Sequence, residues 1–210
     1  MFKSLPIQLV QEESDDLIQL INPEQDSDLK PEDLPKELSI LPIKNTVLFP
    51  GVVIPITVGR QKSIKLVKKA YMGNRIIGVV AQKNPQAEEP TMEDLYRTGT
   101  VARIIKMLVL PDGNTTIIIQ GKNRFMVKEY VQEEPYLTAN IELQPEPLLN
   151  ANGKETIALV QSLKDAATKI LKLNPEIPIE AQVALDNISS MSFLVHFLSS
   201  NLNVEVADKQ

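Results

Sequence analysis

The chain has 210 residues, 43% of them hydrophobic, a formal net charge of −5 and no cysteine. That length and apolar content suffice for a packed core, in one large domain or two small ones, while disulfides and thiolate chemistry are excluded. No apolar run approaches the ~18 residues of a membrane helix, and the opening MFKSLPIQLVQEESDD reads neither as a secretory signal nor as an Arg-rich transit peptide, so a cytoplasmic protein is expected.

The charge is unevenly placed. Residues 1–37 hold three lysines against ten acids, which leaves a nearly neutral body of 19 basic and 17 acidic residues. Residues 1–37 therefore read as an acidic, flexible leader with little to bury, whose one apolar piece, Leu17 to Ile21, ends before Pro23.

The stretch Leu38–Gly59 gives two short arms rich in β-branched residues, hence two strands, joined by Lys44–Gly51. Pro42 and Pro55 cannot donate to a ladder, so each strand is expected to have an edge or bulge there. The connection turns at Pro50-Gly51 yet carries Val47, Leu48 and Phe49, where turns are ordinarily polar. Leu48 and Phe49 either plug one end of a barrel or stand exposed as a contact surface.

A helix is expected within Arg60–Gly73, with Ile64, Val67 and Tyr71 on one stripe and Lys62, Lys65, Lys68 and Lys69 opposite; Gly73-Asn74 stops it. Arg75–Gln82 is a nearly continuous apolar run, which suits a buried strand. After the loop KNPQAEEP, Thr91 is placed as an N-cap with Asp94 three positions on. Thr100–Leu110 resumes the sheet, Pro111–Asn114 turns with Gly113 at the position needing positive φ, and Thr115–Gln120 returns. Gly121 is expected to interrupt that strand before Arg124–Val127, and Tyr136–Leu143 forms another.

Past Gln144-Pro145-Glu146-Pro147 the apolar period becomes helical. Ile157, Val160, Leu163, Ala167, Ile170 and Leu171 share a face, a second helix is expected near Pro178–Leu185, and a third carries Phe193, Leu194, Phe197 and Leu198. The resulting division is 1–37 leader, 38–143 β-rich domain, 144–153 linker and 154–210 helical subdomain.

An ordered series of short motifs is more specific than any of these patterns. Leu41-Pro42-Ile43, Val47-Leu48-Phe49-Pro50-Gly51, Pro55-Ile56, Val58-Gly59-Arg60, Val80-Ala81-Gln82-Lys83, Asp94 to Ile104, Leu110 to Gly113 and Gly121-Lys122-Asn123-Arg124 occur in that order. The series resembles the amino-terminal domain of the bacterial ATP-dependent Lon proteases (protease La), over roughly residues 38–205. The resemblance implies an α+β fold: a β-rich, PUA-like pseudobarrel with one inserted helix, followed by a small helical bundle.

The search for catalytic chemistry yields nothing that would assemble a site. The lone His196 sits between Val195 and Phe197 in an amphipathic helix, the place of a surface or boundary residue, and no glycine starts a phosphate-binding G-x-x-x-x-G-K-[ST] loop. The chain is therefore expected to be non-catalytic, with no metal or cofactor of its own. By the resemblance, it would be part of a longer enzyme whose ATPase module takes ATP and magnesium and whose protease module carries a Ser-Lys dyad.

The function implied is recognition of unfolded or degron-bearing polypeptide, together with assembly alongside other subunits of a hexameric ring. Candidate contact residues are Leu48, Phe49, Val52 and Val53, with Met107 and Leu108 near the second hairpin; exposure of Leu48 and Phe49 is the expectation carried forward. Two other classes fit the same fold: a stand-alone sensor module, and an RNA-binding domain resting on Arg60, Lys62, Lys65, Lys68, Lys69 and Arg75. The near-neutral body and the lack of stacking aromatics argue against nucleic acid.

Overall fold

The computed structural model describes residues 32, 34, 35, 37–109, 114–146, 153–173 and 185–210. Nearly all of the acidic leader, the Asp112-Gly113 turn, most of the linker and the helix expected before Leu185 lie outside the described residues.

Six strands form one sheet: β1 Leu38–Ile43, β2 Val53–Val58, β3 Ile76–Ala81, β4 Thr98–Val109, β5 Thr115–Gln132 and β6 Thr138–Gln144. The order is β2-β5-β4-β3-β1-β6, and β6 also pairs with β5. That last pairing closes five strands into a ring, with β2 attached outside it. β5 makes this possible by length: its first third, Thr115–Gln120, pairs with β2, and Arg124–Gln132 pairs with β6. The ring is the pseudobarrel, and the fold is α+β.

The strand assignments follow the β-branched runs, but Gly121 does not interrupt the return strand as expected. β5 runs on through it as one strand, although its ladder with β4 shifts register between Gly121 and Arg124. The prolines sit at edges. Pro42 pairs with Val80 on one side but lies beyond the Leu38 and Ser39 pairings with β6, and Pro55 is on the outermost strand.

Helix α1, Gln61–Met72, crosses between β2 and β3 and buries Ser63, Leu66 and Val67. It packs into a core with Leu41, Leu48, Ile77, Ile104, Ile117 and Ile119. A second core, around Phe125, Leu38, Ile40, Val80 and Leu95, lies on the opposite face of β1, β3 and β4, since Ile76 and Val80 alternate with Ile77 and Val79 along β3. Thr91 and Asp94 pair as expected ahead of the short 3₁₀ turn Met92–Asp94. The carboxylate accepts from the Thr91 N–H and hydroxyl, both at 2.9 Å, and those hydrogen bonds hold Asp94 below the usual carboxylate range.

Further helices among the described residues are α2 Lys154–Leu173, α3 Met191–Asn201 and α4 Val206–Lys209. Ser190 caps α3, its side chain accepting from the Phe193 N–H at 3.2 Å. The helices share a third core with the barrel: Val52 joins Leu185, Ile188, Phe193 and Leu194, with Phe49, Val160, Ala167 and Leu171 packed around them. Among the described residues no helix is long and apolar enough to cross a membrane.

Candidate functional site

The connection between β1 and β2 is not an exposed loop. Leu48 is 3% exposed and lies in the barrel core. Its neighbour Phe49 is half-buried and joins the helical core, its ring centroid 6.1 Å from that of His196 on α3. Val52 is buried in the same helical core. The expectation that Leu48 and Phe49 stand free is therefore corrected. Two different partners, the barrel interior and α3, take up their apolar surface, and no single sequence window contains both.

The backbone of this connection is held as closely as its side chains. The buried Thr100 hydroxyl donates to the Leu48 carbonyl at 2.6 Å, and the Val52 N–H donates to the Phe49 carbonyl at 3.2 Å. His196 hydrogen-bonds the Pro50 backbone. Gly51 has a φ of +76°, its N–H donates to the Gly121 carbonyl, and the Gly121 N–H donates in turn to the Val52 carbonyl, both at 2.9 Å. Two residues thus oppose one, a bulge whose first position favours glycine.

That bulge sets the phase of β2. Since Val52 points its backbone groups at β5, alternation does the same for Ile54, Ile56 and Val58, and turns those of Val53, Pro55 and Thr57 outward. Pro55 removes the central donor of the outer edge. Strand addition of an extended peptide there lacks one of its hydrogen bonds, which protects the edge.

The remaining candidates separate by face. Met107 packs against the barrel core opposite Ile117 and Ile56. Val53 and Leu108 share the outer face of the β2-β5-β4 sheet, since Val53 pairs with Gln120, Leu108 with Thr116, and both partners lie on one side of β5. Between them on that face lie Pro55 and Ile118, paired with each other. Pro55 is exposed, while Val53, Ile118 and Leu108 are partly buried, and Val109 at the hairpin is 61% exposed. Ile118 was not singled out by sequence reasoning; the alternation of TTIIIQ would have placed it on this face, whereas Val109, paired with Thr115, lies on the other.

At the junction of barrel and helices lies a cavity of about 310 Å³, bounded by Val47–Pro50, the start of β4, Arg124 of β5, and α3. Arg124, Glu146, His196 and Lys209 line it, and the first three lie close together. Glu146 Oε1 is 3.7 Å from Arg124 Nε and 3.8 Å from His196 Nε2. Burial pushes the His196 imidazole below its usual value and Arg124 adds to this, while Glu146 and the Pro50 hydrogen bond oppose it. Arg124 and Glu146 escaped sequence reasoning, because each is an ordinary polar residue until the fold places it beside the other.

The basic face of α1 is partly neutralised. Lys62 forms a 2.6 Å ion pair with Glu134, and the Lys69 ammonium stands 5.6 Å from the Tyr136 ring centroid. Among the described residues no group of His, Asp or Glu could hold a metal ion.

Comparison with known proteins gives a consistent result. Residues 37–210 match the family model described as the ATP-dependent protease La (LON) substrate-binding domain. The Lon protease of Cytophaga hutchinsonii is 58% identical over 195 residues, covering 93% of this chain and 24% of that protein; the Flavobacterium johnsoniae Lon protease is 51% identical with the same coverage. The chain therefore spans about a quarter of the length of these relatives. Among solved structures, the N-terminal domain of Mycobacterium avium complex Lon protease superposes with a TM-score of 0.63 at 18% identity, over 83% of this chain and 87% of that one. A Lon N-terminal domain protein from Xanthomonas campestris gives 0.58 at 18% identity, over 82% and 86%; at such identities these two establish the fold alone. With a family model spanning residues 37–210 and relatives above half identity, the chain belongs to the Lon protease substrate-binding domain family.

Proposed function

We propose that this chain is the polypeptide-recognising part of a cytoplasmic, ATP-dependent Lon protease that degrades unfolded or degron-bearing proteins and works as an assembly of Lon subunits. The observation that carries the reading is the match of residues 37–210 to a family defined as substrate-binding. ATP and magnesium belong, on this reading, to an ATPase module in the portion of the relatives that this chain does not span. The chain itself turns over neither ATP nor peptide.

The contact face that fits best is the outer face of the β2-β5-β4 sheet, where Val53, Pro55, Ile118 and Leu108 present partly accessible apolar surface. Apolar side chains of an unfolded polypeptide dock there by burial, with little contribution from strand addition because of Pro55. Leu48, Phe49, Val52 and Met107 have their apolar surface engaged within the fold.

The test is a binding titration of an unfolded model polypeptide against the Leu108→Ser/Ile118→Ser variant, beside a melt of the same protein. Affinity is expected to fall about tenfold, as two lost anchors of ~0.7 kcal/mol each would produce, with stability within about 1 kcal/mol of the parent. Unchanged binding in a stably folded variant would remove this face from the reading.

A further inference from the structure

We infer that the cavity at the barrel–helix junction is a binding site for a carboxylate carried on a small apolar group, and that Glu146 is its internal, displaceable occupant. The inference concerns residues other than the polypeptide-contacting face proposed above, and stands whether or not that face binds.

The chemistry of the lining points to such a ligand. Val47, Phe49 and Val195 supply apolar wall, while Ser192, Ser199, Arg124 and Lys209 supply donors; the Lys209 ammonium already donates to the Ser200 carbonyl at 2.9 Å. At about 310 Å³ the cavity lies at the lower end of the ~300–1,000 Å³ range of ligand pockets. It suits a single residue-sized group better than an extended chain.

The decisive feature is an unfinished polar contact. Arg124 Nε is buried and makes no hydrogen bond. The nearest carboxylate oxygen, Glu146 Oε1, stands at 3.7 Å, and the same oxygen is 3.8 Å from His196 Nε2. Both distances exceed hydrogen-bonding range. One carboxylate therefore stands beside both side chains, hydrogen-bonds neither, and leaves the Arg124 Nε–H without an acceptor.

Its backbone explains why. Gln144, two residues before Glu146, is paired opposite Arg124 in the β5–β6 ladder. That register fixes where the Glu146 backbone leaves the sheet, and with it the reach of the side chain. A carboxylate arriving from solution has no such tether, so it can close on the guanidinium with the short, charge-assisted geometry that Glu146 lacks. Glu146, 39% exposed, is free to swing outward when displaced.

Two sources present this chemistry: a free small carboxylic acid, and the C-terminal residue of a polypeptide. Titration calorimetry on the full chain with 4-methylpentanoate, with a short peptide ending in leucine, and with the same peptide amidated separates them. The free-carboxylate peptide is expected to bind at least tenfold tighter than its amide. Comparable affinity for 4-methylpentanoate would assign the site to free acids, and tenfold weaker affinity for it would assign the site to chain ends.

Two variants must move in opposite directions. Arg124→Gln should weaken binding at least tenfold, and Glu146→Gln should strengthen it about threefold by removing the competitor. A purely structural role would shift both alike. Val195→Trp fills the cavity from the exposed side of α3 and should abolish binding with an unchanged melt, which keeps the test available if Arg124→Gln fails to fold. Equal binding of amide and acid, parallel shifts in the two charge variants, retained binding in Val195→Trp, or no binding of any ligand at millimolar concentration would each overturn the inference.

Discussion

The carbonyl oxygen of Phe49 occupies the space that a side chain on Gly121 would need. A Cβ built on Gly121 overlaps that oxygen, and the obstacle is backbone, which cannot rotate away. The glycine in the middle of the longest strand is thus there to admit the β1–β2 connection. Gly121→Ala is expected to destabilise by about 1–3 kcal/mol, the usual cost of overpacking, as read from a urea midpoint at constant slope. An unchanged midpoint would show that the connection does not sit against β5.

Gly51 carries two constraints at once. Its φ of +76° disfavours any side chain, and a Cβ would lie 2.7 Å from the Phe193 ring. Gly51→Val should therefore loosen α3 from the barrel as well as strain the turn, at about 1–3 kcal/mol for the backbone alone. Limited proteolysis should register the loosening as faster cleavage within residues 185–201 than in the parent. Equal cleavage rates would mean that the helix does not rest on this glycine.

Leu48 and Thr100 test the same docking from the barrel side. Leu48→Ala removes a buried side chain and is expected to cost about 2–5 kcal/mol. Thr100→Val keeps the volume but leaves the buried Leu48 carbonyl without its donor, at about 1–3 kcal/mol. Chemical denaturation of both variants checks these values. Tolerance of Leu48→Ser/Phe49→Ser within 1 kcal/mol would return these residues to an exposed role.

His196 gives a pH dependence with a definite sign. Its folded-state value is lowered, first by burial, so below about 6.5 the unfolded chain binds a proton that the folded chain does not. Stability is then complete above that pH and falls as the pH drops from there toward the folded-state value. His196 is the only histidine, so His196→Gln should flatten the melting temperature across that window. A slope that persists in the variant would assign the effect to another group.

Pro55 offers a test of the sheet edge. Replacing it with threonine restores the missing donor between Val53 and Thr57, and should raise concentration-dependent self-association in sedimentation velocity relative to the parent. No change in association would mean that the outer edge of β2 is covered by other means.

Much of this architecture was legible in the sequence. The β-branched runs at 38–43, 76–81 and 115–120 marked their strands, and Thr91 with Asp94 marked the cap, because those signals are local. The double use of β5 was not legible, since pairing with β2 on one stretch and β6 on another depends on register between distant segments. Leu48 and Phe49 were conspicuous as apolar residues in a turn, but periodicity cannot say what covers a side chain when one partner is the barrel and the other a helix beginning at Met191. The Arg124–Glu146–His196 group was invisible for the same reason: its members come from a strand, the segment after β6, and a helix.

The closed ring also has a kinetic consequence. β1 lies between β3 and β6, and β6 is the last strand of the barrel to be synthesised. Until Thr138 and Ala139 reach Ser39 and Leu38, β1 has a ladder on one side only, and Arg124–Gln132 of β5 is likewise missing its β6 partner. Contacts this distant in sequence place folding toward the millisecond-to-second regime of barrels. On the ribosome, the nascent barrel therefore keeps two open strand edges until Gln144 has emerged.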